Sequence, residues 1–166
     1  MGIEMNKDIV KSQYHASLEM LRQAVSKCPD SLWDDREDKN AFWRVAYHAL
    51  FFTHLYLQAS LEDFCPWVKH KENYEAMDRQ LPQDGVPYTK GEILEYCEMC
   101  GEQVEERVAS LEPDAPSGFH WLPFSKLELQ FYNIRHLQQH VGELCERLGA
   151  REDVEVGWVG QAPREG

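Results

Sequence analysis

The stretch KNAFWRVAYHALFFTHLYLQAS, residues 39–60, decides the fold class. Phe42, Trp43, Val45, Ala46, Leu50, Phe51, Phe52, Leu55 and Leu57 leave it no continuous polar face, and a helix apolar nearly all round must be buried on several sides. It is not a membrane span. Its most apolar part, Val45 to Leu57, covers only 13 residues and holds two histidines, whereas a span needs about 20 apolar residues. Such a helix needs amphipathic partners, and the chain supplies them on either side.

Upstream, Val10, Tyr14, Leu18, Leu21 and Val25 recur at three- and four-residue steps, which predicts a helix over Asn6–Lys27, ended by Cys28-Pro29-Asp30. The segment Asp30–Lys39 is polar and acidic around Trp33, and its acidic run Asp34–Asp38 reads as a solvated helix entry. Downstream, Thr89-Lys-Gly-Glu92 and Ser125-Lys-Leu-Glu128 are capping boxes. They open a third helix running to about Leu111 and a fourth running to Leu148, where Gly149 is the stop signal. The second helix is read over Lys39–Ser60. The prolines at 66, 82 and 87 mark Leu61–Tyr88 as a long connection with a short helix near Lys71–Asp78, and a connection of that length suits a crossover in a bundle. A second loop covers Glu112–Phe124. The expectation is an all-α four-helix bundle over residues 1–150. A tail over 151–166 follows, with Trp158 folding onto the bundle or onto a partner.

The chain has 166 residues, the length of one domain, with 17 basic against 29 acidic side chains and a net charge of −12. No lysine–arginine cluster offsets that charge, which disfavours nucleic acid and anionic membrane surfaces. The N-terminus has no signal-peptide apolar run and no Ser or Thr at position 6 for myristoylation, and five irregularly spaced cysteines fit a reducing cytoplasm.

Histidine placement carries the chemistry. His136 and His140 stand at i and i+4 on the fourth helix, about 40° apart around its axis, so both rings can reach one ion. The alternative is two hydrogen-bonded histidines on an amphipathic face. Tyr132 and Glu143 share that stripe. Leu137 follows His136, so this is not the zincin His-Glu-x-x-His pattern. His48 sits midway along the apolar second helix, where a polar ring needs a partner, either a core hydrogen bond or a metal shared with the pair. His54 competes for that role but lies about 120° away around the helix. Arg44, one turn before His48, is either a salt-bridge partner at the bundle end or a group that steadies substrate charge. Cys97 and Cys100 form a C-x-x-C in mid-helix on an apolar stripe, which reads as core packing. His15, His70 and His120 have no partner in register.

The run from Phe42 through His48 to Phe52, together with Ile134-Arg-His136-Leu-Gln-Gln-His140-Val-Gly-Glu-Leu144, resembles the DinB-like superfamily, also described as YfiT-like, over about residues 5–150. The resemblance implies up-down-down-up topology with the long crossover between the second and third helices. It implies a divalent metal, nickel or zinc, on His48, His136 and His140, and a homodimer. It also implies a metal-dependent enzyme acting on a small molecule, by transfer from a low-molecular-weight thiol or by hydrolysis. Glu143, Arg44 and Tyr132 would assist, in a pocket lined by Phe51, Phe52, Tyr132 and Trp121 or Trp158. The alternative is a dimeric, stress-linked metal-binding bundle without turnover.

Overall fold

The computed structural model describes residues 6–82 and 84–163, and those parts of the bundle and tail readings that fall on 1–5 and 164–166 lie outside the described residues. The described chain is all-helical and contains no strand, only one isolated bridge between Pro116 and Ser125. Its helices are α1 (Lys7–Lys27), α2 (Asp30–Trp33), α3 (Phe42–Leu57), α4 (Lys90–Ala109) and α5 (Lys126–Glu152).

Three of the four long helices begin where a side chain can satisfy a free N–H group, whereas α3 starts after Ala41 without one. Asn6 accepts from the Asp8 amide in α1, and Ser125 accepts from the Glu128 amide in α5. Thr89 and Glu92 complete a reciprocal capping box at α4. The four long helices pack as α3 on α5, α1 on α4, α1 on α5 and α3 on α4, around one core. Trp43, Tyr47, Leu50, Ile93, Tyr96, Leu129 and Leu137 are fully buried there. A buried polar layer crosses that core. The Tyr14 hydroxyl donates to Gln130 Oε1 at 2.9 Å, and Asn133 Nδ2 donates to the Thr53 carbonyl at 3.1 Å.

Several expected boundaries shift, each for a physical reason. α3 is shorter than Lys39–Ser60. It begins only after a bent segment over residues 36–40 and ends where Lys126 Nζ donates to the Gln58 carbonyl at 2.8 Å. α5 runs past Gly149, where an added Cβ would meet nothing within 4 Å, and ends at Asp153 in the left-handed region with φ 52°. The Val154 amide closes that end on the Leu148 carbonyl at 3.2 Å. Arg151, in the extra turn, is held by Asp35 and by Asp38.

The acidic segment is therefore not a free solvated entry. Asp34 accepts from Trp43 Nε1 at 2.7 Å, and Asp35 and Asp38 tie to α5. Nor is it wholly polar, because Asp30–Trp33 forms the one-turn α2, and buried Trp33 donates to the Tyr88 carbonyl at 2.8 Å.

The connection over residues 58–89 contains no helix near Lys71–Asp78. It is folded instead by side chains beneath it. Tyr88 donates to the Lys69 carbonyl at 2.6 Å, Tyr47 Oη pairs with His70 Nδ1 at 2.6 Å, and Trp67 stacks on Tyr96 at 4.6 Å. The second loop needs a glycine where it meets this connection. Gly118 has φ +87°, and a Cβ there would fall 2.1 Å from the Ala59 carbonyl oxygen.

The tail lies along α1, with Gln13 donating to the Gly160 carbonyl and the Ala162 amide donating to Ser12. Trp158 does not fold onto the bundle: it is 77% exposed, while Val156 and Val159 make the tail's apolar contacts.

Candidate metal centre

Three histidines from two helices converge. His48 Nε2 lies 3.3 Å from His136 Nε2, and His140 Nε2 lies 3.2 Å from the same atom. One coordinating nitrogen from each ring falls within 4.8 Å of the others. Helix geometry produces this. His136 and His140 are one turn apart on α5, and His48 faces them from α3. The facing stripes continue beyond the site. Phe52 lies against His48 and His136, with ring centroids at 4.7 and 5.6 Å. Tyr56 meets Tyr132 at 5.6 Å, so the partner number falls along α5 as the position rises along α3.

Hydrogen bonds on the far side of two rings settle what the near side offers. His48 Nδ1 is 2.6 Å from the Glu75 carbonyl oxygen, an acceptor only, so Nδ1 carries the hydrogen and Nε2 is a bare lone pair. His140 Nδ1 is 3.1 Å from Glu143 Oε2, which fixes the same tautomer. Glu143 is steadied in turn by Arg147 at 3.2 Å, and Arg147 donates to the Asn40 carbonyl at 2.8 Å. His136 Nδ1 is buried without a partner.

Two lone pairs therefore face the third nitrogen, and one imidazole proton can satisfy only one of them. A cation satisfies all three. Nitrogens about 2.1 Å from a tetrahedral ion would lie roughly 3.4 Å apart, close to the separations seen here. A ligand ring must be neutral, and burial favours that form at two of the three. Burial pushes His48 and His136 down to about 4, the Glu75 carbonyl partly opposing this at His48.

The other candidate residues separate clearly. Glu143 stands behind His140 and outside the converging nitrogens. Tyr132 is half-buried between Tyr56 and Phe124. Trp121 reaches the same aromatic wall, its Nε1 donating to Tyr56 Oη at 3.4 Å. Phe51 does not line the site: it packs under the connection against Phe64 and His70. Arg44 makes no salt bridge among the described residues, and its guanidinium is taken up by loop carbonyls.

His54 points elsewhere, 3.1 Å from Tyr96 Oη. His15 pairs with Glu105 at 2.7 Å, His70 with Tyr47, and His120 packs on Trp121. Cys97 and Cys100 are buried and unbridged in the core, and burial raises both thiols, Cys97 to about 12. A groove of about 1000 Å³ runs between α1 and α4 past Leu18, Leu94 and Gly101, away from the histidine cluster.

Sequence reasoning missed the Glu75 carbonyl and Arg147. A backbone acceptor has no side-chain signature. Arg147 was legible as a partner four residues after Glu143.

The sequence model of the DinB superfamily matches residues 13–144, a span that contains all three histidines. Comparison with curated proteins and with solved structures returned no match.

Proposed function

The chain belongs to the DinB superfamily, and from that premise we propose that it is a metal-dependent enzyme whose divalent ion, nickel or zinc, is held by His48, His136 and His140. One observation carries the reading: two of the three converging imidazoles are locked with bare nitrogens inward, the arrangement that a bound cation requires of its ligands. Three nitrogen ligands leave positions open for a reactant, and no other His, Cys, Asp or Glu joins the cluster among the described residues. That favours turnover over a closed structural site. When bound, such an ion lowers the pKa of a coordinated thiol or water and makes it a nucleophile near neutral pH.

The protein's own groups have distinct tasks. Glu143 holds His140 in its tautomer, and at the half-exposed rim it can also take up a proton. Phe52, Tyr56, Tyr132 and Trp121 form the aromatic wall against which a small-molecule substrate would rest. Arg44 is spent on the loop and has no part in steadying substrate charge.

The helices are arranged up-down-down-up in this reading. His15 near Glu105 and Lys7 on the Ala109 carbonyl support opposed α1 and α4, while Tyr14 on Gln130 and Gln138 beside Met20 support parallel α1 and α5. A homodimer and a low-molecular-weight thiol as co-substrate follow from the family resemblance, and a cytoplasmic location from the five irregularly spaced cysteines.

The test is metal content per chain by elemental mass spectrometry on untagged protein, beside His48→Ala and His136→Ala. About one equivalent of divalent metal in the parent, lost in both variants, is expected. No metal after nickel and zinc have both been offered would overturn the reading.

A further inference from the structure

Arg44 lies one turn before His48 on α3 and is only 5% exposed. Its guanidinium donates to the carbonyls of Asn73 at 3.3 Å, Tyr74 at 3.4 Å, Arg79 at 2.7 Å and Ala76. Asn40 Oδ1 takes a fifth contact at 3.5 Å. These carbonyls bracket Glu75, and the Glu75 carbonyl is the one that accepts from His48 Nδ1. Asn73 takes the left-handed conformation with φ 68°, and its side chain accepts from Arg79 Nη1 at 2.7 Å. The segment is thus bent around the guanidinium.

The charge of Arg44 is the wrong one for a cation site. It disfavours positive charge on His48, and taking a guanidinium out of water is costly. A planar fork with five donors is nonetheless well suited to gathering four carbonyls at once, more than the three donors of a lysine can serve. Geometry, not charge, accounts for its place.

We propose that Arg44 is a positioning residue: by gathering the carbonyls of residues 73–79 it holds the Glu75 carbonyl on His48 Nδ1, and so keeps His48 Nε2 bare toward His136 and His140. The consequence for metal affinity rests on the three-histidine reading above; the tautomer of His48 does not.

The test uses the full chain, its Arg44→Lys and Arg44→Met variants, and two readouts. The first is the ¹⁵N spectrum of the His48 ring in metal-free protein at neutral pH, assigned with His48→Gln. The second is zinc affinity by competition with a chromophoric chelator. Expected are a pure Nδ1–H tautomer in the parent, an admixed Nε2–H tautomer in both variants, and a zinc affinity lower by about 10- to 100-fold in both, the range for loss of a ligand's supporting partner. A pure Nδ1–H tautomer in both variants overturns the proposal. So does unchanged zinc affinity, or tighter binding by Arg44→Met, the result expected if charge were what mattered. If Arg44→Met does not fold, Arg44→Lys, which keeps charge and stem, decides alone. If the parent binds neither zinc nor nickel, the metal reading fails, and the tautomer shift still decides the role of Arg44.

Discussion

His54 sets up a pH dependence that can be isolated from every other histidine. It is 6% exposed, faces Tyr96 Oη and Phe64, and is pushed by burial from 6.5 down to about 4. The unfolded chain would take its proton first on acidification. Between those two values the unfolded state binds more protons, so stability falls as pH falls. The slope is about 1.4 kcal/mol per pH unit for one group, and the full interval amounts to at most roughly 3 kcal/mol. His48 and His136 are depressed in the same direction and add to the parent's slope. His54→Phe removes one contribution and leaves those two. The assay is urea unfolding of both proteins, with a chelator present, at several pH values from 7.5 to 4.5. The two stability curves should converge on acidification, the variant losing about 1 kcal/mol less for each unit below 6.5. A constant offset is expected as well, because the variant leaves Tyr96 Oη without its partner. Parallel curves would refute the reasoning and show that His54 is protonated in the folded protein as readily as in the unfolded one.

His54→Phe should also leave metal content at the parent's value, and a loss there would move the site to the other side of α3. Cys97→Ala and Cys100→Ala should each cost about 1 kcal/mol by thermal denaturation, as small core deletions do, with metal stoichiometry unchanged. Gly118→Ala forces a Cβ onto the Ala59 carbonyl in a left-handed backbone. It should cost about 1–3 kcal/mol, read as a midpoint several degrees lower. Glu143→Ala removes the acceptor behind His140 and should weaken zinc binding by about tenfold, with a midpoint in metal-free protein within a degree or two of the parent's.

What the sequence disclosed about this protein follows from which forces have a period. The stripes of α1, α4 and α5 repeat with the helix, so their apolar faces were legible, and so were the caps at Thr89 and Ser125. The i, i+4 histidines are the same signal in another residue type. The angle of about 120° meant that His48 and His54 could not both face one ion, and the apolar stripe that His48 shares with Phe51, Phe52 and Leu55 favoured His48. The structure puts His48 with the pair and His54 on Tyr96. The failures occur where tertiary contacts override local preference. Gly149 is a stop signal in isolation, but Arg151 held by two aspartates extends α5 beyond it. The helix expected near Lys71–Asp78 is displaced by a chain bent around Arg44.

Arg44 shows why the support of a site is harder to read than the site. Its partners are backbone carbonyls some thirty positions downstream, and any residue can present a carbonyl. Ligand histidines must have particular side chains at a particular spacing, so they leave a pattern. The acceptor behind His48, the Glu75 carbonyl, requires only that the backbone be in the right place. A substitution at position 75 that preserves the backbone should therefore be tolerated at the histidines, whereas one at position 44 should not. The side chain that matters to His48 is thus on its own helix, acting through a loop on the other side of the ring.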